Sequence, residues 1–253
     1  MPVHKPVDEI QDAEDCVKVL IMPVLAVVLV AAACGEDGGT DVDTTPSVRF
    51  FNAVWNAPDG IGFTTNAQFV TGSALAYGQS TQTCSRVNAG NTTFGIGLAS
   101  PGGTGLSSST LASLINQSIT DGGNYTVLAG GNVIHPSVVL LDNSVSGTLG
   151  SNEAAVRFVN LAASSEFPFT VLKGTVGSGT TTVVQADIAF RAATPFSTVT
   201  SGSNAYSVMY NHEAVISGTD ATLNLQAGTV NTVVIVRDPI TDTFQLRSVP
   251  GCS

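Results

Sequence analysis

Val48-Arg49-Phe50-Phe51-Asn52 returns later in the chain as Val156-Arg157-Phe158-Val159-Asn160. In both copies Phe and Val alternate with Arg and Asn, the two-residue period of a half-buried strand. Each copy opens a stretch of domain size, so the chain reads as a tandem duplication. In the first copy Phe50 shares a face with Val48, and Phe51 shares the other with Arg49. One of the two rings is therefore expected at a domain junction or exposed.

Working outward, the first copy covers residues 47–142 and the second 154–253, with 143–153 (NSVSGTLGSNE) as a linker. Strands are expected in the first copy near 47–55, 61–66, 80–87, 91–98, 111–119, 124–130 and 133–141. Turn punctuation such as Ala57-Pro58-Asp59-Gly60 separates them. LASLINQSI at 111–119 has helix-like leucine spacing, but its counterpart ATLNLQA at 221–227 alternates cleanly, which favours a strand. TVVIVRD and TFQLRSV read as a closing hairpin. Short strands in this number predict an all-β chain of two tandem immunoglobulin-like sandwiches.

Composition agrees with an exported β protein. Only 11% of residues are charged, under half the usual share, so turns and uncharged polar surface dominate. The net charge of −10 is concentrated ahead of the repeats, in Asp8, Glu9, Asp12, Glu14 and Asp15 and again in Glu36, Asp37, Asp41 and Asp43. The repeats themselves are close to neutral and carry no basic patch, which excludes nucleic acid as a partner.

Residues 19–33 form an apolar run too short to span a bilayer as a helix, for which roughly 20 residues are needed. It reads as a signal-peptide core within residues 1–33. The acidic stretch ahead of it is wrong for a signal peptide, whereas Val17-Lys18 makes a normal start, so residues 1–16 read as a mis-assigned beginning. The run ends in Ala31-Ala32-Ala33-Cys34, which resembles the lipobox of bacterial lipoproteins apart from Ala31, where Leu is usual. Lipidation of Cys34 is expected, making the membrane a partner through the lipid. The alternative is soluble secretion after a cut before Cys34. Residues 34–46 then form an acidic, Gly-rich tether, and Gly35 is in keeping with sorting to an outer membrane.

Cleavage leaves Cys34, Cys84 and Cys252, an odd number in an exported chain. With Cys34 lipidated, a disulfide between Cys84 and Cys252 is expected.

The openings VRFFNAVWNAPDG and VRFVNLAASSEFPFTV, the LAYGQ and IAFRA elements, GGNYTVLAGG and the closing VVLLDN together resemble a bacterial envelope family, domain of unknown function 4397. The resemblance covers nearly all of residues 47–249, although the second opening lacks the Pro-Asp of the first. It implies tandem sandwich-like domains on an exported protein and supplies no catalytic residues.

Chemistry-bearing motifs are sparse. His135 and His212 are the histidines beyond the signal region, and neither stands in a zinc-ligand spacing; no G-x-S-x-G elbow occurs. No catalytic residue, metal or cofactor is expected. Trp55, just before a turn, is the candidate for an exposed recognition aromatic. The expectation is a non-enzymatic, lipid-anchored envelope protein with a binding or spacer role, its ligand a protein or a glycan. The alternative is a secreted or envelope hydrolase acting on extracellular polymer.

Overall fold

The doubled motif forms the same strand twice. In the computed structural model, which describes residues 44–107, 109–162, 168–174, 181–210, 214–215, 220–238, 241 and 243–252, both copies are built only of strands. The signal segment, Cys34 and most of the tether lie outside the described residues. The first copy contains β1 (Ser47–Trp55), β2 (Ile61–Thr65), β3 (Gln68–Phe69), β4 (Ser85–Arg86), β5 (Gly90–Leu98), β6 (Ala112–Ile119), β7 (Asn124–Asn132) and β8 (Pro136–Asp142). The second contains β9 (Glu153–Asn160), β10 (Phe169–Lys173), β11 (Thr182–Ile188), β12 (Ser197–Thr200), β13 (Gly202–Tyr210), β14 (Ala214–Val215), β15 (Ala221–Leu225), β16 (Val230–Arg237) and β17 (Phe244–Pro250).

These strands form four sheets that repeat one plan. The order β4-β1-β7-β8 in the first copy is matched by β12-β9-β16-β17 in the second. The order β3-β2-β5-β6 is matched by β11-β10-β13, with β14 and β15 both pairing β13. Even the register is kept: β1 runs parallel to β7 with Val48 opposite Tyr125, and β9 runs parallel to β16 with Val156 opposite Asn231. LASLINQSI is a strand, β6, antiparallel to β5. The strand expected over 80–87 is reduced to Ser85–Arg86, because Ser80 makes only an isolated bridge to Phe51 and the chain then turns away from β1.

Packing divides into three layers of side chains. Phe50, Phe63 and Phe94 fill the space between the two sheets of the first copy, with ring centroids 5.0 Å and 6.5 Å from that of Phe50. Phe158, Phe169 and Tyr206 occupy the same place in the second. The third layer lies between the copies: Phe51, Ala53, Leu128 and Leu141 meet Val159, Leu161, Val234, Val236 and Val249. Alternation along β1 thus sends Phe50 into its own sandwich and Phe51 into the junction, and both are fully buried. Sheets covered on both faces read as near-continuous apolar runs, which is why β7 and β16 are so apolar. Gly130 leaves room for this junction, since a Cβ there would sit 3.0 Å from the Leu161 side chain.

Polar groups fasten the same junction. Arg157, 5% exposed, donates from Nε to Thr232 Oγ1 at 2.9 Å, from Nη1 to the Asp142 carbonyl at 2.7 Å, and from Nη2 to Asn143 Oδ1. Its guanidinium also stacks on Phe196, 4.5 Å from the ring centroid. Burial lowers its pKa to about 10, with Asp142 acting weakly in the other direction. The expected disulfide is present between Cys84 and Cys252 and ties the first copy to the end of the second. Asn124 holds the same end through its side chain, donating to the Cys252 carbonyl and accepting from the Cys252 amide at 3.2 Å.

Tyr206 is fully buried, yet its hydroxyl has no hydrogen-bond partner among the described residues. Burying an unpaired hydroxyl costs about 1–3 kcal/mol. Tyr206→Phe keeps the ring that packs on Phe158 and removes that cost, so its urea midpoint is expected at or above the wild-type value. A drop of a kilocalorie or more would mean that the hydroxyl has a partner after all.

Candidate functional site

The fifth residue of the repeated motif shapes the site. Asn52 is fully buried; its amide donates to the Leu75 carbonyl at 2.8 Å and its Oδ1 accepts from the Val54 amide at 2.7 Å. Asn160 does the same with the Ile188 carbonyl at 3.0 Å and the Ala162 amide at 3.1 Å. The backbone completes the clamp, as the Gly78 amide donates to the Asn52 carbonyl and the Arg191 amide to the Asn160 carbonyl, each at 2.7 Å. One turn further on, Thr81 and Thr194 accept through Oγ1 from the amides of Phe50 and Phe158, at 3.2 Å and 3.0 Å. A buried Asn is stable only when its groups are paired, so the motif fixes the crossover that follows it. At the tight point of that crossover Gly78 has φ 74°, while Arg191 adopts 66° despite its side chain.

In the first copy the clamped crossover, residues 70–85, forms one wall of an open groove. Two adjoining cavities of about 430 Å³ and 540 Å³ share Ser73, Ala74 and Gln79. The larger is bounded by the β1–β2 turn at Asp59, by Tyr77, and by Gly102 and Gly103 of the β5–β6 loop. The smaller continues past Thr71 and Gln82 to Ser85. Gly60 allows the turn to close on the crossover: it has φ 82°, and a Cβ there would lie 2.6 Å from the Leu75 carbonyl oxygen. The lining contains Asp59 as its one carboxylate and no Lys or Arg side chain. Ser73, Gln79, Gln82 and Thr83 are exposed in it.

Tyr77 joins this groove to the second copy, donating its hydroxyl to the Arg237 carbonyl. Burial raises its pKa above the ordinary tyrosine value, and the negative charge of Asp238 adds to the rise. Burial raises that of Tyr206 as well. Above about pH 10 the unfolded chain loses these protons while the folded chain keeps them, so stability falls as pH rises. Arg157 opposes this: its lowered pKa means that the cost of burying its charge is relieved between about pH 10 and 12.5. Burial lowers the Arg49 pKa as well, so two tyrosines stand against two arginines and the comparison with a variant isolates the Tyr77 part. From pH 9 to pH 11 the urea midpoint of wild type is expected to fall relative to that of Tyr77→Phe. An unchanged pH dependence in that variant would assign the fall to other groups.

The residues singled out by sequence are spread over the molecule. Cys84 and Cys252 meet; Cys34 and His212 lie outside the described residues. Trp55 ends β1 opposite Asn132 and is half-buried, its indole nitrogen shielded from solvent without a hydrogen-bond partner among the described residues. It is thus less accessible than the exposed aromatic expected. His135 is exposed on the β7–β8 turn, beside exposed Ile134, and is not among the residues lining the groove. No group of three or more His, Cys, Asp or Glu placed to hold a metal occurs among the described residues. The groove itself was missed; the signal was the LAYGQ element, whose recurrence as IAFRA marks the clamped crossover.

The family model for a domain of unknown function (DUF4397) matches residues 46–166. These residues carry a DUF4397 domain. The match takes in all eight strands of the first copy, the linker and β9, so both Asn52 and Asn160 fall inside it. The groove lies wholly within the DUF4397 match. No curated protein matches the chain. A solved structure described as a "putative cell adhesion protein" from Bacteroides uniformis is similar over 82% of this chain and 98% of its own, at 10% identity and a TM-score of 0.21. That likeness is too slight to bear on fold or ligand.

Proposed function

We propose that the chain is an exported cell-envelope protein, lipid-anchored at Cys34, whose paired immunoglobulin-like sandwiches bind a ligand without transforming it. One observation carries the reading. β1 runs parallel to β7, and β9 to β16. Cys252, next to the start of β16, bonds Asn124 at the start of β7. Leu161, past the end of β9, lies against Gly130 late in β7, and Tyr77 bonds Arg237 at the end of β16. So the chain enters the described fold at the end where Cys252 lies, and the β1–β2, β7–β8 and β16–β17 turns lie toward the other. A chain tethered ahead of residue 46 therefore has those turns and the wide part of the groove at its free end. Packing of the two copies against each other through the layer of Phe51, Leu128, Val159 and Val234 argues against the spacer role. Binding rather than hydrolysis is favoured by a groove whose lining holds a single carboxylate, Asp59, among otherwise neutral side chains and no histidine, and by the position of His135 outside it. The envelope, and the outer membrane within it, follow from the Cys34 and Gly35 reading of the sequence.

The test is the intact mass of protein isolated from membranes without reductant, before and after thiol alkylation in denaturant. A diacyl or triacyl mass on a chain beginning at Cys34, with no alkylation, supports the anchor. An unmodified chain in the medium with a reactive Cys34 overturns it.

A further inference from the structure

The geometry points to the groove of the first copy as a binding site for a neutral oligosaccharide. This assignment rests on the binding role proposed above and gives it a ligand class.

The lining decides the chemistry. Hydroxyls and carboxamides, as on Ser73, Gln79, Gln82 and Thr83, both donate and accept hydrogen bonds. They complement a ligand whose own groups do both, and a sugar ring presents such groups around its rim. No Lys or Arg side chain lines the groove, and the two guanidiniums near it are engaged elsewhere, Arg49 by the Thr81 and Gln82 carbonyls and Arg247 by Gln245. A phosphate, sulfate or uronate would therefore leave water for little ion-pair gain. A single carboxylate, Asp59, suits hydrogen bonding to vicinal hydroxyls and is too little to select a cation. Ala57, Pro58, Ala76 and the half-buried ring of Tyr77 add apolar surface against which the C–H face of a sugar can lie.

Shape supports a chain of sugars over a single ring. Each cavity falls within the range of about 300–1,000 Å³ usual for ligand sites, and the two run into one another through Ser73, Ala74 and Gln79. An extended peptide is the less suitable occupant, since it would need unpaired backbone groups along a wall to add as a strand. Here the wall amides are turned inward: Ala74 donates to Gly103, Leu75 to Ile61, Gly78 to Asn52 and Thr81 to Phe50, at 2.7–2.9 Å. The same bonds hold the wall in place before any ligand arrives, and a preorganised site loses less on binding.

The experiment uses the full mature chain, oxidised, in a detergent without a sugar headgroup. Neutral and anionic oligosaccharides are screened by ligand-observed NMR, and each mixture is analysed for cleavage products after prolonged incubation. Ser73→Trp, which fills the groove from an exposed position, and Gln79→Ala, which removes a shared exposed carboxamide whose oxygen also accepts from the Ala76 amide at 3.3 Å, are run beside it with thermal melts as folding controls. The inference predicts saturation transfer to neutral oligosaccharides, abolished by Ser73→Trp and weakened about tenfold by Gln79→Ala. Binding that persists unchanged in both variants overturns the groove assignment and leaves the binding role standing. Binding of anionic oligosaccharides alone, or of none, also overturns it. Retention in the groove accompanied by cleavage keeps the site and overturns the non-enzymatic reading.

Discussion

Replacing Cys84 and Cys252 together by alanine is expected to lower the unfolding free energy by about 3–5 kcal/mol. The bond joins residues 168 positions apart, so it closes nearly the whole of the folded chain into one loop. Chain entropy for a loop of that length corresponds to about 5 kcal/mol of constraint on the unfolded state. The native end should survive the loss, because the Gly251 amide still donates to the Val230 carbonyl at 2.7 Å and Asn124 still grips Cys252's backbone position. The effect therefore belongs mainly to the unfolded chain. For a fold of this size the melting temperature should drop by roughly 10 °C, with circular dichroism at 20 °C unchanged. A double variant that melts within a degree or two of wild type would mean that the unfolded chain is already held compact by other contacts.

That bond could be read from the sequence because it needed only the compartment and a count of thiols. The strands were legible for a similar reason: a period of two in VRFFN, and again in NYTVL, is a local property of the chain. The junction was half legible. Adjacent Phe50 and Phe51 must point to opposite faces of β1, which predicts a second apolar contact but cannot name its partner. The partner is the second copy's own VRFVN strand, and nothing local in Val159 or Leu161 says which sheet they will meet. Arg157 shows the limit more sharply. By pattern it matches Arg49, yet Arg49 donates to the Thr81 carbonyl at 2.6 Å inside its own copy, while Arg157 is buried against the linker. The groove was least legible, since Ser, Thr and Gln in a loop carry no periodicity. It exists because Asn52 and Gly60 bend the crossover and the turn toward each other, a relation between residues distant in sequence.

Phe51→Ala tests whether the two copies form one cooperative body. Phe51 is 1% exposed at the centre of the layer shared by β1, β7, β9 and β16, so truncation should cost about 3–5 kcal/mol. The consequence for cooperativity is the more telling one. In wild type the shared apolar layer, the Arg157 bonds and the disulfide all link the copies, and a single unfolding transition in calorimetry is expected. Removing Phe51 leaves a cavity between the copies while Phe50, Phe63 and Phe94 still fill the first sandwich. Each sandwich then keeps its own core but loses part of its dependence on the other. The transition should broaden or divide in Phe51→Ala, whereas Phe50→Ala, of equal size but inside one copy, should lower the midpoint without dividing it. Two resolved transitions already present in wild type would show that each copy is stable without its neighbour, and that the shared layer orients the sandwiches without uniting them.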